Sequence, residues 1–436
     1  MPHRGDREPL GGEAEARPGA LLVGLELRAR DRREVDESLN ELALLAATAG
    51  YGEAGRNVSR RERPHPATFV GKGKAREIAA EAAAASAAAV IFDDELTPTQ
   101  VNNLSEFTRA RIIDRTELIL DIFAARARTS EARLQIELAR LTYLLPRLAG
   151  AWSHLNRQRG GTGGTRDAGE KQVELDRRRA RDRIHRLRKQ LIEVGKTRAV
   201  QRGRRARREV PTAAMIGYTN AGKSTLFNAL TAASVPTADR LFSTLDPTTR
   251  AAELPSGRRV LFSDTVGFIR KLPHHLVDSF RATLEEVLEA DVLLEVLDAS
   301  HSLIRERKAA VEEVLKELGA DDKPRIVVLN KTDLVRDPFL VNELKLTFGS
   351  GIAVSAREKT GLDALLAEIE RVLGEDRRFC RLVVPQGRAD VISLLYREGE
   401  VKKTDYNPGG VYVEAILPLR RLESVREFML PPPPRS

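Results

Sequence analysis

The chain has 436 residues, 42% of them hydrophobic and 31% charged, and a formal net charge of +9. That length leaves room for about three domains, and the composition excludes a disordered or fibrous chain. One cysteine, Cys380, excludes an internal disulfide and fits a reducing cytosol.

Met1–Pro18 mixes acids, bases and glycines without an apolar segment, so it reads as disordered and not as a signal peptide. The tail, residues 431–436, reads as disordered too. The longest apolar run, Ala82–Phe92, is broken by Ser86 and is too short to span a membrane. The expected compartment is the cytoplasm. Residues 20–128 read as a small α/β unit. Its expected elements are strand Leu21–Leu27, helix Arg33–Thr48, strand Ala67–Val70 and an Ala-rich helix Lys74–Ser86. Strand Ala88–Phe92, helix Pro98–Thr108 and strand Ala110–Asp114 complete it. Val70-Gly-Lys-Gly-Lys74 lacks the GK[ST] ending of a phosphate loop and reads as a tight strand–helix turn.

From Thr129 the apolar period changes. Leu134, Leu138, Leu141, Leu145 and Leu148 recur in steps of four and three, as do Ala180, Ile184, Leu187, Leu191 and Val194. Such seams predict an antiparallel coiled-coil hairpin over 129–210, with Gly160–Gly164 at its tip and a bend at Pro146. The tip carries Arg157, Arg159 and Arg166. Residues 171–210 hold sixteen Lys or Arg, thirteen of them Arg, against five acids, a net of +11; the rest of the chain sums to −2. An arginine-dominated local stripe is the footprint of a phosphate-rich partner such as RNA. Aromatics are scarce at 5%, which favours backbone and shape recognition over base stacking.

Next comes Gly217-Tyr-Thr-Asn-Ala-Gly222-Lys223-Ser224, which fits G-x-x-x-x-G-K-[ST]. Glycines let the backbone approach a phosphate chain, Lys223 reaches the β- and γ-phosphates, and the Ser224 hydroxyl ligates Mg²⁺. A strand over Pro211–Ile216 and a helix over Lys223–Ala232 would place the loop at a helix N-terminus, which favours anions. The candidate phosphate cradle is therefore Gly217, Tyr218, Thr219, Asn220, Ala221, Gly222, Lys223, Ser224 and Thr225. Asp264-Thr265-Val266-Gly267 follows an expected strand, Arg259–Ser263; Asp264 can hold Mg²⁺ through water, and the Gly267 N–H can meet the γ-phosphate. Asn330-Lys331-Thr332-Asp333 follows the strand Arg325–Leu329. An aspartate at 333 accepts from both N1–H and the 2-amino group of guanine, a donor pair that adenine lacks. Ser355-Ala356, followed by Arg357, comes after the strand Gly351–Val354 and offers backbone N–H groups to guanine O6. Each motif stands at a strand's C-terminal end, where α/β sheets bind ligands. Together they imply guanine-nucleotide binding in a G domain over residues 211–373.

Phe242-Ser243-Thr244-Leu245-Asp246 lies within the polar stretch Pro236–Arg250. Thr244 is the candidate for the mobile threonine that completes the Mg²⁺ shell beside the γ-phosphate, with Thr248 and Thr249 as competitors. Residues Phe268–Phe280 would form the second switch. Ras-like enzymes carry a water-orienting Gln directly after DxxG, where this chain has Phe268. A phenyl ring cannot hold a water in line, so basal hydrolysis is expected to be slow and raised by a partner. Thr244 and Gly267 assist, and no catalytic residue is assigned with certainty. Asn220 reads either as a K⁺ ligand near the phosphates or as a plain loop asparagine. Residues 374–430 read as a small C-terminal α+β appendage, strand, helix, strand, helix, turning at Asp405–Gly410. The fold class is α/β: a P-loop GTPase domain with a mostly parallel sheet, an N-terminal α/β unit, the hairpin and the appendage.

These blocks resemble the HflX-type GTPases of the translation-factor-related class, within the Obg-HflX-like superfamily. The matching segments are Gly217–Leu226, Phe242–Arg250, and Ser263–Arg270 continuing through Leu272-Pro-His-His-Leu to Phe280-Arg-Ala-Thr-Leu-Glu285. The Gly-rich tip and the leucine-seamed hairpin are similar too, so the resemblance runs over roughly residues 20–430. It implies a Mg²⁺-dependent GTPase that associates, as a monomer, with the ribosome. The hairpin would meet the 23S rRNA of the 50S subunit, and the activity would split or rescue stalled ribosomes under stress. It also implies an aliphatic or aromatic residue after DxxG, as Phe268 is. Asp167-Ala168 departs from the family's usual Gly-Pro at the tip. The alternative is a GTP-dependent rRNA-binding factor of large-subunit assembly, in which hydrolysis only resets binding.

Overall fold

The computed structural model describes residues 17–27, 32–147, 166–206, 210–231, 233, 241–242, 244, 247–271, 286–349, 351–375 and 377–430. They divide into two compact units, one up to Gln190 and one from Leu191 onward.

The first unit runs β1 (Gly19–Leu27), α1 (Arg32–Thr48), β2 (Gly52–Arg61), α2 (Lys72–Ala84), β3 (Ala89–Phe92), α3 (Pro98–Ser105), β4 (Arg111–Asp114) and α4 (Arg115–Arg126). The sheet is parallel, in the order β2-β1-β3-β4. Its central strands are mostly apolar runs because helices cover both faces. Leu21, Val23 and Leu25 pack with Ile78 and Ala82 of α2, whereas Gly24 faces Val35 and Leu39 of α1.

One strand differs from the sequence reading. Ala67–Val70 is a turn, with Phe69 at φ +60° and its N–H and C=O both bonded to His65. The strand beside β1 is instead Gly52–Arg61, whose sequence GEAGRNVSRR has almost no apolar residues. At a sheet edge, backbone pairing outweighs weak side-chain preference.

Asp114 caps α4 by accepting from the Glu117 N–H at 2.9 Å, and it also accepts from the Tyr143 hydroxyl at 2.6 Å. Tyr143 belongs to α5 (Ser130–Leu144), so this carboxylate ties α5 to the α/β unit. The buried Arg115 is paired with Glu41 at 2.6 Å and Asp93 at 2.7 Å, as a buried charge requires.

The seam on α5 is shifted from the expected leucines. Ala132, Ile136, Ala139 and Tyr143 are buried, while Leu134, Leu138, Leu141 and Leu145 are half-buried, because α5 packs against α4. The helix ends at Leu144, short of the bend expected at Pro146. α6 (Arg166–Ala206) buries Ala180, Ile184 and Leu187, and its Arg183 forks onto Glu137 of α5 with two bonds of 2.7 Å. Leu148, Arg157, Arg159 and the tip Gly160–Gly164 lie outside the described residues.

The second unit contains β5 (Thr212–Gly217), α7 (Lys223–Thr231), β6 (Thr248–Glu253), β7 (Arg259–Asp264), β8 (Val292–Asp298), α8 (Ile304–Leu318), β9 (Arg325–Asn330), α9 (Pro338–Thr347), β10 (Ile352–Ala353) and α10 (Leu362–Glu375). Its sheet order is β10-β9-β8-β5-β7-β6, and only β6 runs antiparallel to its neighbour. This mostly parallel sheet, wrapped by helices, is the expected α/β class. The chain continues as β11 (Arg377–Val384), α11 (Ala389–Glu398), β12 (Glu400–Asn407), β13 (Gly410–Pro418) and α12 (Leu419–Val425). The antiparallel sheet β11-β13-β12 has one strand more than expected, since the residues before and after the turn at Pro408-Gly409 form a hairpin. The polar edge strand EVKKTDYN hid it, as the charged β2 was hidden.

Candidate nucleotide site

The loops carrying the phosphate and base motifs leave the C-terminal ends of β5, β7, β9 and β10, the edge at which a parallel sheet binds ligands, while Phe242 and Thr244 lie on the segment between α7 and β6. Gly217 has φ +145° and Gly222 φ +90°, backbone that only glycine adopts readily. A Cβ on Gly217 would stand 2.3 Å from the Val296 carbonyl oxygen, and one on Gly222 2.3 Å from Asn330 Nδ2. Asn220, also left-handed at φ +61°, is exposed. The loop then enters α7, whose first N–H groups lack intrahelical partners. The adjoining cleft is lined by residues of this loop, among them Thr219, Lys223, Ser224 and Thr225, together with Phe242, Thr244, Thr265 and Gly267.

Lys223 is buried, and its ammonium donates to the carbonyls of Gly217 at 3.1 Å and Tyr218 at 2.9 Å. Burial draws its pKa down to about 8, partly offset by Asp264. Asp264 is fully buried at the end of β7. Its Oδ2 accepts from Ser224 Oγ at 2.7 Å and Thr244 Oγ1 at 2.8 Å, and those hydroxyls lie 2.8 Å apart. Burial pushes the Asp264 carboxyl up, against the pull of the Ser224 bond, Lys223 and the Thr244 bond. Both shifts disfavour the charged form, and a phosphate chain beside Lys223 or a divalent cation beside Asp264 would reverse them.

Two hydroxyls and a carboxylate are hard oxygen donors of the kind Mg²⁺ takes. The second carboxylate oxygen, Asp264 Oδ1, is buried without a hydrogen-bond partner, so the donor set has capacity to spare and fits the ion. Ser224, Thr244 and Asp264 are the residues able to hold Mg²⁺, directly or through water. Thr248 and Thr249 are instead on β6, with Thr249 Oγ1 2.8 Å from Ser263 Oγ. Ser243, Leu245 and Asp246 lie outside the described residues, as does 272–285 of the expected second switch. Ser224→Ala is expected to raise the Mg²⁺ concentration needed for half-maximal GTP binding about tenfold. Titrating Mg²⁺ against a fluorescent GTP analogue measures this, and an unchanged midpoint would contradict the assignment.

Thr265 has a different job from its neighbours, for its buried hydroxyl donates to the Met215 carbonyl at 2.5 Å and ties this loop to β5. Val266 is buried and Gly267 lines the cleft. Phe268, 2% exposed, pairs with the phosphate loop through its backbone. Its N–H donates to Gly217 O at 3.1 Å, and its carbonyl accepts from the Thr219 N–H at 2.7 Å.

On the opposite side, Asn330 is a strut. Its Nδ2 donates to the Ala221 carbonyl at 3.0 Å and its Oδ1 accepts from the Ala356 N–H at 3.0 Å. The Ala356 N–H, expected to meet guanine O6, donates to Asn330 in this structure. Asp333 is exposed and accepts from Ser355 Oγ at 2.6 Å. Arg357 is exposed. Lys331, left-handed at φ +61°, reaches Asp298 Oδ2 at 2.7 Å. Sequence reasoning missed Asp298. An acid ending the apolar strand VLLEVLD at the same sheet edge was the available signal.

Three family models match the chain in succession: GTP-binding GTPase N-terminal over residues 36–124, GTP-binding GTPase Middle Region over 126–205, and 50S ribosome-binding GTPase over 212–331. The GTPase HflX of Caldanaerobacter subterraneus subsp. tengcongensis is 45% identical over 397 residues, 91% of each chain. The chain belongs to the HflX family of GTPases. HflX from Akkermansia muciniphila is 43% identical over 421 residues, 94% of this chain and 96% of its own. Among solved structures, a GTP-binding protein from the archaeon Sulfolobus solfataricus in complex with GDP is 27% identical, covering 82% of this chain and 99% of that one with a TM-score of 0.43. As an HflX-family member the chain binds and hydrolyses GTP. Among the described residues no helix is long and apolar enough to cross a membrane.

Proposed function

We propose that this GTPase acts on the large ribosomal subunit, as 50S or within 70S, and that ribosome contact raises a slow basal hydrolysis to split or rescue stalled ribosomes. In this reading residues 20–128 form the N-terminal domain, 129–210 the RNA-binding hairpin, 211–373 the G domain and 374–430 a C-terminal domain. Gly217–Thr225 wrap the phosphates, Ser224, Thr244 and Asp264 hold Mg²⁺, and the Gly267 N–H meets the γ-phosphate. Asp333 reads guanine, with Asn330 and Lys331 shaping the base site. Bound Mg²⁺ neutralises charge that builds on the phosphate oxygens during transfer.

The observation that carries the reading is Phe268. The position after DxxG offers a buried phenyl ring clasped to the phosphate loop, and no side chain there can hold a water in line. A partner's contribution is then worth about 10³–10⁵ in rate. The partner's chemistry is supported by α6, whose buried face of Ala180, Ile184 and Leu187 leaves Arg181, Arg186, Arg188 and Lys189 exposed. Guanidinium forks suit RNA phosphates. The matching G-domain model, described as a 50S ribosome-binding GTPase, points the same way.

Phosphate contacts release counterions, so binding should fall steeply with salt. For six contacts, raising KCl from 50 to 200 mM should cost about 10³ in affinity for 50S subunits. Co-sedimentation of the GTP-analogue form at constant Mg²⁺ measures the slope. Binding that ignores salt would remove RNA phosphate as the docking surface.

A further inference from the structure

We propose that the Thr219 hydroxyl orients the water that attacks the γ-phosphate, in the role Phe268 cannot fill. The proposal rests on the GTPase activity alone and not on ribosome contact. Thr219 is 2% exposed, and its Oγ1 is buried without a hydrogen-bond partner. A buried hydroxyl left unpaired costs free energy, so a retained one calls for a reason such as a bound water or a catalytic contact.

Its position supplies that reason. A Cβ added to Gly267 would stand 2.9 Å from Thr219 Cα, 2.9 Å from Thr219 Cγ2 and 2.9 Å from Lys223 Nζ. Thr219 therefore packs where the DxxG glycine and the phosphate-binding lysine meet, the γ-phosphate end of the cleft. Its N–H holds the Phe268 carbonyl at 2.7 Å, which places it beside the residue that follows DxxG. The other hydroxyls lining the cleft have different employment. Ser224 and Thr244 bond to Asp264, Thr265 bonds to Met215, and Thr225 is only partly buried, within reach of solvent. Phe242 is apolar. Thr219 carries the one buried hydroxyl among these cleft residues that lacks a partner.

A threonine hydroxyl accepts from one group while donating to another. It can accept a hydrogen bond from the water and donate one to a γ-oxygen, fixing the water in line. The water oxygen then bonds to the γ-phosphorus as the bond to the β,γ-bridging oxygen breaks, and the water's proton leaves with the released phosphate. Thr219 aligns this step and transfers no proton of its own.

Thr219→Val keeps the side-chain shape and removes the hydroxyl; Thr219→Ser keeps the hydroxyl and removes the methyl. Single-turnover GTP hydrolysis is measured for both, with and without 50S subunits, beside fluorescent GDP affinity and Tm. Thr219→Val should hydrolyse at least about tenfold more slowly without ribosomes, with GDP affinity within about twofold of wild type and Tm unchanged or higher, since an unpaired hydroxyl has gone. Thr219→Ser should retain most of the rate. A Thr219→Val protein that hydrolyses at the wild-type rate overturns the proposal. So does an equal loss in both variants accompanied by weakened GDP binding, which would mark Thr219 as packing only. Should Thr219→Val fail to fold, Thr219→Ala answers the same question by its rate relative to Thr219→Ser. Absence of 50S stimulation in every variant would count against the ribosome reading and leave this comparison intact.

Discussion

Asp333→Asn will move the base preference of this GTPase from guanine to xanthine nucleotides. The Asp333 carboxylate is exposed at the end of the β9 loop, with one oxygen fixed by Ser355 Oγ at 2.6 Å. A carboxylate accepts two hydrogen bonds side by side, matching guanine N1–H and the 2-amino group. Xanthine carries a carbonyl in place of the amino group, so it needs an acceptor and a donor, which an amide supplies. Sites built for buried hydrogen bonds reject unmatched partners by about 10⁴–10⁵. Asp333 is more open than that, and GTP affinity should fall roughly 10³-fold while XTP affinity rises by a similar factor. Competition of GTP and XTP against a fluorescent GDP analogue gives both numbers. Unchanged GTP affinity in the variant would show that Asp333 does not read the base. Asn330 cannot serve the same test, because its amide braces Ala221 against Ala356 and a change there would disturb the phosphate loop as well.

The parts of this molecule that were legible in the sequence are those where one residue type is demanded by geometry. Gly217 and Gly222 occupy backbone that side chains avoid, against neighbours 2.3 Å from any added Cβ, so the phosphate loop could hardly be written otherwise. The central strands GALLVGLEL and VLLEVLD are largely buried on both faces and show as mostly apolar runs, interrupted by Glu26 in the first and by Glu295 and the closing Asp298 in the second. Edge strands escape such logic. The charged β2 and the polar β12 are held by backbone ladders to β1 and β13, and backbone pairing leaves no mark on composition. The helix seams were half legible. Ala180, Ile184 and Leu187 are buried as the period implies, but α5 turns a neighbouring row inward because α4 and the Asp114–Tyr143 bond hold it.

Within the site, residue types pointed to chemistry but not to partners. That Ser224 and Thr244 both converge on one oxygen of Asp264 depends on residues 20 and 40 positions apart in the chain. Asn330 looked like part of a base-reading motif, and its position as a brace between two loops emerged only from the fold. Asp298 gave only a weak signal because a lone acid at the end of a strand is common, whereas its 2.7 Å bond to Lys331 is specific to this packing. Thr219 belonged to the phosphate loop by its pattern, but that its hydroxyl is buried without a hydrogen-bond partner depends on the fold.

The central claim is that a site with Phe268 after DxxG waits for the ribosome. Phe268 is 2% exposed and hydrogen-bonded by its backbone to Gly217 and Thr219, so the water-positioning side chain of better-equipped GTPases has no counterpart at that place. Hydrolysis on the isolated chain then relies on the phosphate loop, Mg²⁺ and whatever Thr219 contributes. Electrostatic stabilisation supplied from outside is worth about 10³–10⁵ in related phosphoryl transfers, and even a fraction of it would stand out against a slow background. The most direct measurement is the GTP turnover of the full chain, alone and with purified 50S subunits at 50 mM KCl, a salt level that favours phosphate contacts. The account predicts slow turnover alone and a rise of about 10²-fold or more with 50S subunits. Tight binding to 50S subunits with an unchanged rate would contradict it.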